Sequence, residues 1–181
     1  MRGLAMVALL LFAGLTVGAD SCTTTTTDEP DKGGSGGAGD KERSPKARLR
    51  DSITLKGADT KVKVTVLSVQ DPADAGEFDE PEKGSRYVGV EIRLRNVGST
   101  TYHDSPSNGA KLIGTGGQRA DSTILSGGDC GGDFASDVTL SSGTDERGCI
   151  PFELKEGSKP KRFQFGLDSG FGPQTGEWSL K

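Results

Sequence analysis

Tyr87-Val88-Gly89-Val90-Glu91-Ile92-Arg93-Leu94-Arg95-Asn96 decides the class of the fold. Val88, Val90, Ile92 and Leu94 take every second position, and Glu91, Arg93 and Arg95 sit between them. Side chains along a β-strand alternate between the faces of its sheet, so this segment reads as a strand with one apolar and one wet face. That pattern belongs to an antiparallel sheet packed on one side, because strands of a parallel sheet are buried on both faces and read as continuous apolar runs. Upstream, Val62, Val64 and Val66 alternate with Lys61, Lys63 and Thr65, and the parity then moves to Leu67 and Val69, the mark of a bulge or bend. Ile53 and Leu55 begin the series.

Downstream, residues 110–113 read as a short strand, Thr115-Gly116-Gly117 as a hairpin turn and residues 118–125 as the returning strand. Ile150, Phe152 and Leu154 share a face, as do Phe163, Phe165 and Leu167, and Trp178 and Leu180 close the chain. Trp178 and the Phe163/Phe165 pair are expected in the core. No segment carries a helical repeat. Seven or eight short strands joined by Gly-, Pro- and Asp-rich turns predict an all-β fold, a two-sheet antiparallel sandwich of immunoglobulin type.

The chain has 181 residues, 31% of them hydrophobic, with 28 Gly and 6% aromatics. Gly is about twice its usual ~7% share, so part of the chain is linker or turn and a single core is expected. The net charge is −4, from 22 basic and 26 acidic residues, which argues against a general nucleic-acid binder, since phosphate neutralisation needs a basic face.

The N-terminus carries an address. Arg2 precedes an uncharged run over residues 4–17, LAMVALLLFAGLTV, shorter than the ~20 residues of a spanning helix and followed by small and polar residues. Residues 1–21 therefore read as a signal peptide. Its processing has two readings. Ala19-Asp20-Ser21-Cys22 resembles a bacterial lipobox, in which Cys22 takes a lipid and becomes the new N-terminus; Val17-Gly18-Ala19 also fits ordinary signal peptidase, which would release a soluble protein beginning at Asp20. Cysteine parity favours lipidation: pairing Cys130 with Cys149 leaves Cys22 over. Residues 22–50, with five consecutive Thr, a Gly-rich run and a charged end, are expected to be a disordered tether, leaving residues 51–181 as the sandwich.

Few residues carry chemistry. Cys130 and Cys149 are expected to form a disulfide in an oxidising extracellular setting, stapling a Gly-rich loop to a strand beginning near Gly148; a zinc site is the rival reading. Six carboxylates, Asp71, Asp74, Glu77, Asp79, Glu80 and Glu82, crowd one loop without the spacing of an EF-hand, making a minor candidate for calcium or another cation and otherwise a solvated excursion. His103 is the one imidazole and lies beside Asp104 and Ser105, but adjacency in a polar loop does not make a triad. No catalytic residue and no cofactor is assigned.

Arg147-Gly148-Cys149-Ile150-Pro151-Phe152-Glu153-Leu154, then Phe163-Gln164-Phe165 and a terminal Gly176-Glu177-Trp178-Ser179-Leu180, resembles the C-terminal half of a family of Ig-like domains of unknown function. The strand Tyr87 to Asn96, followed by Gly98 and Tyr102, is similar to that family's central strand. The family is carried by exported lipoproteins of Gram-positive bacteria and is related in fold to a secreted mycobacterial immunoprotective antigen. The resemblance implies a fold and a location and no reaction. The expectation is a non-enzymatic lipoprotein held at the outer face of the cytoplasmic membrane, with an unidentified protein or cell-envelope partner and no nucleic acid. The alternative is a soluble secreted protein that binds a small ligand or a cation such as calcium.

Overall fold

The alternating segment forms strand β4 (Ser85–Asn96), with Val88, Val90, Ile92 and Leu94 fully buried. The computed structural model describes residues 45–131, 134 and 137–181; the signal segment, Cys22 and the tether as far as residue 44 lie outside the described residues. On one side β4 pairs with β3 (Lys61–Gln70) and on the other with β9 (Asp145–Lys155). Strand β2 (Ser52–Lys56) completes a four-stranded antiparallel sheet in the order β2-β3-β4-β9. The parity change at Leu67 is a bulge: the register against β4 shifts between Val66 and Ser68. Val62, Val64 and Val66 therefore stay buried while the end of β3 turns half-exposed.

The facing sheet has the order β1-β11-β10-β6-β7, built from β1 (Lys46–Arg48), β6 (Ala110–Gly114), β7 (Arg119–Asp121), β10 (Pro160–Gly166) and β11 (Thr175–Ser179). Its inner face supplies Leu112, Phe163, Phe165 and Trp178 to the same core as the valines of β3 and β4. The Phe163 ring meets Phe152 of the opposite sheet edge-on at 6.1 Å and lies 6.0 Å from Trp178, so the aromatic pair and the tryptophan bind the two layers. The buried indole nitrogen of Trp178 donates to the Asp51 carbonyl at 3.1 Å. A two-stranded ribbon of β5 (Tyr102–Asp104) and β8 (Val138–Leu140) adds Tyr102, Val138 and Leu140 to the core. The all-β sandwich expected from the sequence is the fold. Among the described residues the only helical segments are three single 3-10 turns.

The details differ in three places. Lys46–Arg48 falls in the stretch read as tether, yet it pairs in parallel with β11, the one parallel ladder of the described residues. Its apolar signal is slight: Ala47 and the following Leu49 pack against the core, and backbone bonds fix the strand, with Glu177 N–H donating to the Pro45 carbonyl and Leu49 N–H to the Ser179 carbonyl, each at 2.9 Å. The return strand expected over residues 118–125 pairs with β6 only at Arg119–Asp121. Ser122 then bridges to Phe152 of β9, and Thr123 N–H donates to the Pro151 carbonyl at 2.8 Å, so the chain crosses from one sheet's edge to the other's. Finally, the described residues form eleven strands, four of which have only three residues, too few for an alternation to register.

Candidate functional site

Cys130 and Cys149 are joined by a disulfide with their Cα atoms 5.0 Å apart. Cys149 lies on the outer face of β9, opposite Glu91, and Cys130 on the loop that follows Leu125. Both cysteines are buried with Leu125 in a small second core, against which Ala75 and Tyr87 pack. Gly89 of β4 makes room for them: a Cβ there would stand 2.9 Å from one sulfur and 3.0 Å from the other. The residue that interrupts the wet face of the central strand is thus the seat of the staple.

The six carboxylates grouped by the sequence are used separately. Asp79 accepts N–H bonds from Gly76 at 2.9 Å, Ser126 at 2.8 Å and Gly127 at 3.3 Å, tying the acidic excursion to the stapled loop. Loss of solvent works against its charge, but the donors from Ser126, Gly76 and Gly127 outweigh it and hold the carboxyl below its usual value of 3.8. Asp71 makes a bidentate pair with Arg86 at 2.6 and 2.7 Å, and Glu82 pairs with Lys155 at 3.3 Å. Asp74, Glu77 and Glu80 lie on the same excursion, and no group of three or more candidate ligands converges among the described residues. Arg86 also donates to the Ser158 carbonyl at 2.8 Å and, with Val69, Lys159 and Leu180, walls an open groove of about 480 Å³.

His103 sits on β5, exposed, with Nδ1 2.9 Å from the Thr139 hydroxyl and Nε2 3.8 Å from Asp137. Ser105 donates its hydroxyl to the same Asp137 carboxylate. Histidine and serine therefore meet at the carboxylate and not at each other, which is not the order in which a base activates a hydroxyl nucleophile. The neighbouring Asp104 is buried and spends its oxygens on Tyr102 O–H at 3.2 Å, Ser105 N–H at 2.8 Å, and Ser169 N–H and O–H at 3.0 and 2.7 Å. It clamps a left-handed turn in which Asp168, Ser169 and Gly170 have φ of 55°, 54° and 86°. Burial first, and the Asp104 charge second, push the Tyr102 phenol far above 10.0. This clamp joins residues 65 apart in sequence, and no local pattern announces it.

The outer face of the four-stranded sheet carries a feature that the overall charge conceals. Lys56 of β2 stands opposite Lys61 of β3, Lys63 opposite Arg95 of β4, and Arg93 of β4 opposite Arg147 of β9. Lys61, Lys63, Arg93 and Arg95 alternate with buried residues, and Lys56, Lys61, Arg95 and Arg147 are exposed. The three like-charged rungs each step one strand across and two residues along, forming a diagonal stripe. Like charges directly opposite one another in a sheet are unfavourable by roughly 0.2–1 kcal/mol a pair. Acidic relief is confined to one end: Asp145 stands opposite Arg95 and pairs with Arg93 at 3.2 Å, and Glu91, one row on, accepts from Ser68 at 2.8 Å, whereas no acidic partner meets Lys56, Lys61 or Lys63 among the described residues. Beside the middle rung, Lys63 and Arg95 line a hollow of about 260 Å³ with the Ser142–Gly143 turn. Asn96, also in its lining, is fully buried, and its amide donates to the Thr100 and Leu140 carbonyls at 2.8 and 2.9 Å. A net charge of −4 conceals this face, although the cations stand at outward positions of recognisable strands.

Solved structures share the fold. MPT63, a secreted protein from Mycobacterium tuberculosis, is 12% identical, with 76% of this chain and 99% of that one covered at a TM-score of 0.55. The yjhA protein from Bacillus subtilis is 13% identical, covering 75% and 99% at a TM-score of 0.52. From the same organism ycdA, named as a candidate lipoprotein, is 16% identical, covering 72% of this chain but 39% of its own, at a TM-score of 0.51. Identities this low speak for the fold alone. No curated protein matches the chain. Residues 57–174, from the turn before β3 to the start of β11, match the family described as domain of unknown function DUF4352, and the chain belongs to that family.

Proposed function

We propose that this protein is an exported, lipid-anchored module that binds a cell-envelope component through the outer face of its four-stranded sheet and performs no chemistry on it. The observation that carries this reading is the diagonal of three like-charged rungs. Like charges set directly opposite one another cost stability, and three such rungs on one face of a chain with net charge −4 suit an anionic partner that would offset that cost. Export and anchoring are supported by the apolar run over residues 4–17 and by Cys22 in its lipobox-like setting. The secreted nature of MPT63 and the name given to ycdA point the same way.

Two measurements test the reading. In detergent phase partitioning the full chain should enter the detergent phase with a diacylglyceryl mass on Cys22, while Cys22→Ala stays in the aqueous phase. An unmodified wild-type N-terminus at Asp20 overturns the anchor. The unanchored Cys22→Ala chain should still sediment with isolated cell envelopes and should lose that retention when Lys63→Glu and Arg95→Glu are added. Equal retention of both overturns the basic face as the contact surface, and turnover of any envelope component by the purified chain overturns the binding role.

A further inference from the structure

We infer that the basic diagonal is a binding track for a linear phosphodiester chain, with one phosphate seated in the hollow between Lys63, Arg95 and the Ser142–Gly143 turn. This deepens the proposed binding role and rests on it. Three observations converge on phosphate chemistry. The cations come in facing pairs: the first two rungs each offer two positive groups to one anion, the arrangement that a phosphodiester, with one charge and two free oxygens, accepts, and the third offers Arg147 beside an Arg93 already paired with Asp145. The middle rung opens on a hollow of about 260 Å³, large enough for a phosphate and its first waters. The rungs also lie on a line and not in a broad disc.

The spacing agrees. Strands lie ~4.8 Å apart and two residues advance ~6.8 Å, so successive rungs are about 8 Å apart along the diagonal. An extended peptide advances ~3.5 Å per three backbone bonds, so a phosphodiester repeat of six backbone bonds advances about 7 Å. The long Lys and Arg side chains absorb the difference. A linear track fits a polymer better than a membrane surface, which would be satisfied by cations in any arrangement. The six rung positions include no aromatic residue, and the nearest on this face, Tyr87, packs under the stapled loop. Without a platform for stacking bases, the track reads the backbone charge and not the base.

The test uses the full chain carrying Cys22→Ala and, as probe, a poly(glycerol phosphate) oligomer of ten repeats, titrated calorimetrically at low and at moderate salt. Binding is expected to weaken steeply with salt as counterions are released. Lys63→Gln with Arg95→Gln should weaken it at least ten-fold and flatten the salt dependence, while Lys155→Gln with Lys159→Gln, at the far end of β9 and in the turn beyond it, should change it less than two-fold. The rung variant should melt no lower than its parent, because a repulsive pair has been removed, which separates loss of binding from loss of fold. Absence of binding at low salt, or equal weakening by both pairs of substitutions, overturns the inference. So does tighter binding of single-stranded DNA with the same number of phosphates, which would make bases part of the ligand, and so does binding confined to phosphatidylglycerol vesicles. Failure here with intact envelope retention removes the phosphodiester and leaves the binding role standing; loss of both removes the role itself.

Discussion

Removing the Cys130–Cys149 bond should cost this domain about 3 kcal/mol. The two cysteines are 19 apart in sequence, and the chain-entropy relation for a loop of that size gives about 11 cal/mol/K, or ~3.3 kcal/mol at 25 °C. A domain of this length shifts its midpoint by roughly 3–4 °C per kcal/mol, so the expected fall is about 10 °C. Scanning calorimetry of the native chain, the chain under reductant, and the Cys130→Ala/Cys149→Ala variant measures it. The two altered forms should agree within a few degrees, since both release the same loop in the unfolded state. Hydrogen exchange adds a local readout: the Ser126 and Gly127 amides should lose protection before the strands do, because their bonds to the Asp79 carboxylate then lack the covalent staple beside them. A fall of less than about 3 °C in both forms would refute the reasoning, and a fall in only one would show that the bond acts through the native packing of the sulfurs.

Two further outcomes concern the seat of the staple and the buried Tyr102. Gly89→Ala should destabilise by ~1–3 kcal/mol in chemical denaturation, because its Cβ would crowd both sulfurs, and in the Cys130→Ala/Cys149→Ala background most of that penalty should vanish; an additive double-mutant cycle would contradict the placement. Tyr102 binds its proton more tightly in the folded than in the unfolded chain, so its contribution is intact below pH 10 and stability falls as the pH rises above it. The Tyr102→Phe variant, which has no phenol to ionise, should show a shallower alkaline fall in melting temperature; identical slopes would reject the assignment.

Much of the fold was legible because one-sided burial writes itself into sequence. Val88, Val90, Ile92 and Leu94 could be read as a strand before any partner was known, and the parity change at Leu67 gave the bulge. A strand fixed mainly by backbone bonds was not legible: in Lys46-Ala47-Arg48 a single small apolar residue packs on the core, too little for an alternation to register, and the pairing with β11 defines its place. The candidate site was half visible for a related reason. The outward positions of Lys61, Lys63, Arg93 and Arg95 were evident, but a rung is a relation between strands, and the pairing of Lys63 with Arg95 or Arg93 with Arg147 exists only once the register is known. Buried Asp104 was passed over beside the more eye-catching His103, since its partner Ser169 lies in a turn with no apolar signature. Charge summed over the whole chain hid the face altogether.

Strand β9 is the rim of its sheet and, at 11 residues, long enough to recruit a stray chain by backbone pairing. Its composition and surroundings work against that. Its first three residues are charged, Pro151 has no amide to offer, and the crossing at Ser122 and Thr123 already occupies Phe152 and the Pro151 carbonyl. A neighbouring molecule seeking to extend this border would find it interrupted midway and electrically guarded at one end. Growth of the sheet by adding a strand at this border is thus discouraged by the border's own sequence.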